Sequence, residues 1–74
     1  MNILTQLGMR IKYLRKKKGM SQLDLSLEAD VNKNYISDLE RGTRNPSIIT
    51  LEKIAFALGV DLATLLQGIQ SFED

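Results

Sequence analysis

Apolar residues recur along the chain at the three- and four-residue steps of helices. Leu4, Leu7, Ile11 and Leu14 form one stripe of a first helix, expected to run to about Lys18. Asn2 or Thr5 can cap its start. Gly8 lies inside it at a cost of about 1 kcal/mol relative to Ala, which makes the first turn its weakest part. Gly19 stops it, and Met20 is expected to pack beneath the entry to the next helix. That second helix, about Gln22–Ala29, has Ser21 as its cap, turns Leu25 and Ala29 inward, and keeps Leu23 and Leu27 at its margins until Asp30 interrupts the pattern. Asn32 offers a new cap, and Val31, Ile36 and Leu39 supply the buried stripe for a third helix over about Lys33–Arg41. In the loop GTRNPS, Gly42 terminates that helix, while Pro46 prevents its continuation and biases Asn45 towards extended geometry. Ser47 or Thr50 can cap a fourth helix carrying Leu51, Ile54, Ala55 and Leu58 and ending at Gly59. Asp61 caps a fifth segment with Leu62, Leu65, Leu66 and Ile69, after which Gly68 and the tail SFED mark fraying.

The pattern predicts an all-α, five-helix, single domain over residues 1–74. Within it, Ser21–Arg41 holds two short helices joined by a bend too tight to vary, a helix-turn-helix. Ser26 falls between Leu25 and Ala29 on the side expected to face the third helix, where a small residue permits close approach. Its hydroxyl is expected to bond the carbonyl four residues back. On the third helix the apolar stripe leaves Lys33, Asn34, Ser37, Asp38 and Arg41 outward. Asp24 and Glu28 are like charges at i, i+4 on the exposed side of the second helix.

A chain of 74 residues sits near the lower limit of what one hydrophobic core stabilises without disulfides or metals. The absence of Cys and His excludes a disulfide framework, a zinc finger, a thiol nucleophile and a His-dependent proton relay. No apolar run approaches the roughly 20 residues that span a bilayer, and the N-terminus lacks a signal-like core. A soluble cytoplasmic protein with no membrane partner is the expectation. Net charge is only +1, but residues 1–19 carry Arg10, Lys12, Arg15, Lys16, Lys17 and Lys18 with no acid, whereas residues 50–74 set Lys53 against Glu52, Asp61, Glu73 and Asp74. The basic end can complement a helix dipole, attract phosphate, or do both. Leu62, Leu66, Ile69 and Phe72 offer more apolar surface than the last short helix can obviously bury. A homodimer is the simplest cover, folding back onto the first and fourth helices the alternative.

Met20-Ser21-Gln22, Leu25, Ala29 and Val31, the run Tyr35-Ile-Ser-Asp-Leu-Glu-Arg-Gly42, Arg44-Asn45-Pro46-Ser47, and Thr50-Leu51 through Ile54-Ala55 to Ala57-Leu58-Gly59-Val60 carry a resemblance over nearly the whole chain. It resembles the Cro and phage-repressor helix-turn-helix family. The stretch NYISDLERGTRNPS and the stand-alone length are most similar to the small controller proteins of restriction-modification systems. The family pattern has Ala at the position of Ser26 and Gly at that of Asp30, and Asp accepts left-handed backbone less readily than Gly. The resemblance implies a lambda-repressor-like fold and a homodimeric, sequence-specific regulator that places its third helix in the major groove of double-stranded DNA. It also implies an internal ion pair between Arg15 and Glu40, and a phosphate contact by Gln22.

The residue chemistry agrees with that implication, because the major groove admits a helix whose first residues reach base edges. Lys33 can donate to guanine O6 and N7, and Asn34 can pair bidentately with adenine. Tyr35 can pack on a thymine methyl or bond a phosphate. Ser37 can reach a base or phosphate, and Asp38 can accept from cytosine N4 or restrain Lys33 and Arg41. Gln22, at the positive end of the second helix, suits a phosphate, and Arg41, Arg44 and Asn45 suit backbone or groove contacts. Dimer contacts are expected at Leu62, Leu66, Ile69 and Phe72. Asp24 and Glu28 are candidates for contact with RNA polymerase. No cofactor or metal is expected. The competing reading is a protein-interaction module of the same fold, an antitoxin-like partner. An enzyme would lack both a paired base for a nucleophile and a Gly-rich phosphate loop.

Overall fold

The computed structural model describes residues 2–70. Five helices follow in order, α1 (Ile3–Lys17), α2 (Gln22–Ala29), α3 (Lys33–Glu40), α4 (Ile48–Ala57) and α5 (Leu62–Leu65). Each begins at a side-chain cap. The oxygens of Asn2, Ser21, Asn32, Ser47 and Asp61 accept from amides of the first turns, so Asn2 rather than Thr5 and Ser47 rather than Thr50 fill the two positions the sequence left open. At α2 the cap is reciprocal. The Ser21 hydroxyl accepts from the Asp24 amide while the Asp24 carboxylate accepts from the Ser21 amide, which matches two orphan groups at once.

The predicted stripes meet in one core. Leu7, Ile11 and Leu14 of α1, Leu25 and Ala29 of α2, Ile36 and Leu39 of α3, Leu51, Ile54 and Ala55 of α4, and Leu65 of α5 are all buried. α3 lies between α1 and α2, α4 closes over α2, and α5 packs on α4 and α1. One face of α3 is thereby left without cover.

Helix ends depart from expectation by single residues. α1 ends at Lys17 and α3 at Glu40, with Lys18 and Arg41 as C-caps. The α3 end is set by Gly42 at φ +79°, whose amide donates to the Leu39 carbonyl while Thr43 donates to that of Asp38, a turn that closes the helix one residue early. Asp30 takes the left-handed conformation at φ 56°, ψ 48°, at the position where the family pattern carries Gly. Ser26 is buried as expected, but its hydroxyl donates to the carbonyl of Leu23 at 2.7 Å, three residues back and not four. The fifth segment is shorter than its apolar pattern, because α5 stops at Leu65. Leu66 and Ile69 pack against the core from the turns beyond it.

Gly8 is the largest surprise. A Cβ there would stand 2.4 Å from the Leu39 carbonyl oxygen and 2.6 Å from that of Glu40, so α1 and the end of α3 touch backbone to backbone. The residue that weakens α1 locally is what lets α3 dock.

Candidate nucleic-acid interface

Asn32 fixes the start of α3 by accepting from the Asn34 amide at 2.7 Å, and Lys33 and Asn34 lie exposed beside it. Tyr35 is half-buried, with the Arg44 guanidinium 5.3 Å from its ring centroid. One turn on, Ser37 accepts from Arg41 at 2.8 Å. The Asp38 carboxylate receives two guanidiniums, Arg41 at Oδ1 and Arg44 at Oδ2, the latter at 3.3 Å. The Thr43 hydroxyl donates to the Asp38 carbonyl at 3.0 Å. Lys33 stands outside these hydrogen bonds, and Asn45 is exposed in the loop. Lys33, Asn34, Tyr35, Ser37, Asp38, Arg41, Arg44 and Asn45 therefore share one outward region, and Arg41, Arg44 and Asp38 form a single charge cluster within it.

Behind α3 a second cluster is closed to solvent. Arg15 grips Glu40 through two parallel hydrogen bonds, Nε to Oε2 at 2.6 Å and Nη2 to Oε1 at 3.0 Å, and its Nη1 donates to the Met20 carbonyl at 2.8 Å. Both side chains are more than nine-tenths covered. Hydrogen bonding to Glu40 raises the Arg15 pKa further above its already high ordinary value, with desolvation opposing. Gln22 joins this cluster, since its side-chain amide donates to Glu40 Oε1 at 3.1 Å. The Gln22 side chain at the start of α2 is thus tied to the end of α3.

The basic first helix divides. Arg10 donates to the carbonyls of Thr64 and Leu65, and Lys18 to that of Ala57. With Arg15, half of the six cations of α1 and its cap hydrogen-bond to other parts of the chain, two of them at the negative ends of α4 and α5. Lys12, Lys16 and Lys17 are exposed, as is Lys18 despite its bond to Ala57.

Of the residues expected at a dimer contact, Leu62, Leu66 and Ile69 are half-buried against the core, and Phe72 lies outside the described residues. Larger apolar exposure sits on α4, where Ile49 and Phe56 are 66 % and 83 % exposed with Ile48 beside them. Sequence reasoning passed over these residues, although Ile49 and Phe56 stand seven apart and off the Leu51–Ile54–Leu58 stripe, a spacing that marks a second face. No helix among the described residues is long and apolar enough to cross a membrane, and no cluster of metal-ligating side chains occurs among them.

A family model described as helix-turn-helix matches residues 11–65. The chain is similar to the control protein C.BamHI of Bacillus amyloliquefaciens, 47% identical over 66 residues that span 88% of this chain and 82% of that protein. Its fold is similar to the crystal structure of the restriction-modification controller protein C.AhdI from Aeromonas hydrophila, with a TM-score of 0.82 at 35% identity, over 84% of this chain and 94% of that one. It is equally similar to the controller protein C.Esp1396I, solved as a tetramer in complex with its natural 35 base-pair operator, with a TM-score of 0.83 at 34% identity over 90% of this chain and 88% of that one.

Proposed function

The chain belongs to the helix-turn-helix family, and from that premise we propose that it is a sequence-specific DNA-binding transcriptional regulator, a controller protein of a restriction-modification system. It acts in the cytoplasm as a homodimer on a pseudo-palindromic operator near its own promoter. The observation that carries this reading is the exposed N-terminal turn of α3, where Lys33 and Asn34 stand clear of the rest of the chain.

Lys33 donates to guanine and Asn34 pairs with adenine in the major groove, and Tyr35 meets a thymine methyl or a phosphate. Gln22 and the unpaired amides opening α2 hold phosphate. Because Gln22 also donates to Glu40, the phosphate contact is positioned by the same buried pair that seats α3. Ser37, Arg41, Arg44 and Asn45 extend the contacts along the backbone. The dimer is made by the C-terminal helices. Leu62, Leu66 and Ile69 shape its floor, and the exposed stripe Ile49 and Phe56 on α4 supports an apolar surface used twice across a twofold axis. Asp24 and Glu28, both exposed on α2, form an acidic face for RNA polymerase where binding activates.

Footprinting on DNA just upstream of this protein's own gene tests the reading. Protection is expected over two half-sites related by a dyad and spaced by about 10 base pairs or a multiple of it. A footprint lacking twofold symmetry counts against the dimer. Asn34→Ala is expected to cost about 1–3 kcal/mol on the operator and far less on random duplex. Equal losses on both would refute base reading by Asn34.

A further inference from the structure

Asp38 is placed where a DNA-binding surface least wants a carboxylate, yet both arginines beyond it converge there. Arg41 reaches Oδ1 and Arg44 reaches Oδ2, so each oxygen already accepts from a guanidinium. A cytosine amine bonding Asp38 would have to share an oxygen with an arginine, since each oxygen keeps only part of its acceptor capacity. Both arginine side chains stay open to solvent while paired, at 62% and 53% exposure, so a phosphate can approach either. Carboxylate and phosphate both present a guanidinium with a pair of anionic oxygens that it can engage. Ion pairs this exposed are weakly held. They can be exchanged for a better-placed phosphate, and are enough to compete with a badly placed one. Arg44 is also steadied by the Tyr35 ring, so releasing it from Asp38 does not set it adrift.

We propose that Asp38 is a specificity-determining residue that acts as an internal stand-in for phosphate. In the free protein it occupies Arg41 and Arg44, and so lowers the affinity of the surface for duplex of arbitrary sequence. When Lys33 and Asn34 engage matching bases, the protein is held at a depth and register where phosphates take the arginines over. The proposal rests on the DNA-binding reading above, and differs from base reading by Asp38 in what its removal does. Losing a reader weakens binding to the right sequence. Losing an internal competitor strengthens binding to the wrong ones.

The test measures binding of the full chain and of Asp38→Asn to random-sequence duplex and to the DNA upstream of its own gene, each across a salt titration. For Asp38→Asn, random-duplex affinity is expected to rise about tenfold at low salt, and the slope of log affinity against log salt to steepen by about one to two per protomer, as freed arginines displace counterions. Upstream-DNA affinity should change less, so discrimination falls. Arg41→Gln with Arg44→Gln should cancel the gain in the Asp38→Asn background and have a smaller effect in the unsubstituted chain. Asp38→Ser, with a thermal melt alongside, repeats the comparison with a different side chain.

Unchanged or weaker random-duplex binding at an unchanged slope overturns the proposal. So does a loss confined to upstream DNA that is relieved by replacing one cytosine. If the unsubstituted chain binds upstream and random duplex equally, the operator reading fails, while the random-duplex comparison still decides the role of Asp38. Absence of binding by every variant to every duplex sinks both.

Discussion

Two arginine–carboxylate clusters lie on opposite sides of α3, built from the same chemical groups and put to different uses. Behind the helix, Arg15 and Glu40 are both more than nine-tenths covered, joined by two hydrogen bonds, and supported by the Met20 carbonyl and the Gln22 amide. In front of it, Asp38 meets Arg41 and Arg44, both over half exposed. Burial removes water as an alternative partner, so the rear pair must be satisfied internally or the helix cannot sit where it does. Exposure keeps water and phosphate available to the front pair, so its bonds can be exchanged. The difference separates scaffold from reading surface more reliably than the chemistry of the charged groups, which is guanidinium and carboxylate in both.

The comparison breaks most severely at Glu40. Glu40→Ala leaves the Arg15 guanidinium buried without its carboxylate, and a loss of about 3–5 kcal/mol in denaturant unfolding is expected. A small loss there would mean that the rear pair is no more than surface electrostatics. Next is Gly8, where the rear cluster meets backbone. Gly8→Ala should destabilise by about 1–3 kcal/mol through overpacking against the Leu39 and Glu40 carbonyls, even though Ala is intrinsically the better helix former by about 1 kcal/mol. Net stabilisation on thermal melting would show that α1 and α3 are not held at that contact.

On the front side, Asp38→Asn should shift unfolding stability by less than about 0.5 kcal/mol, so that any large effect of this substitution on DNA binding is not a folding effect. The smallest expected signal comes from the capping acids. Asp24 is held below its ordinary value of 3.8, first by the Ser21 amide and then by the Ser21 hydroxyl, and Asp61 is held below the same value by the Thr64 side chain and then its amide. A carboxylate with a depressed folded pKa contributes stability that is present above the ordinary pKa and lost as pH falls through the folded one. Melting temperature should therefore decline below about pH 4, and Asp24→Asn with Asp61→Asn should make that decline shallower. An identical acid limb in the double variant would remove the caps as its cause.

The helix count and their caps were legible because those signals are local. Ser21 and Asp24 are three residues apart, and a cap needs nothing further away. The outward face of α3 was legible for the same reason, since Ile36 and Leu39 can only point inward together. What Arg10 and Lys18 do was not legible. Their partners lie at Thr64, Leu65 and Ala57, 54, 55 and 39 residues along the chain. A run of cations looks the same whether it faces carbonyls or solvent.

Sequence by itself determined five capped helices, the bend at Asp30, and a polar surface opening at Lys33, because helical periodicity and capping act over three or four residues. Tertiary structure alone decided that Gly8 is an interhelical contact, that half of the cations of the basic first segment bond back to the chain, and that Asp38 holds two arginines while Glu40, two residues on, is sealed behind the helix. The physical reason is that a charge acquires its role from what excludes water around it, and that depends on which distant helix arrives there.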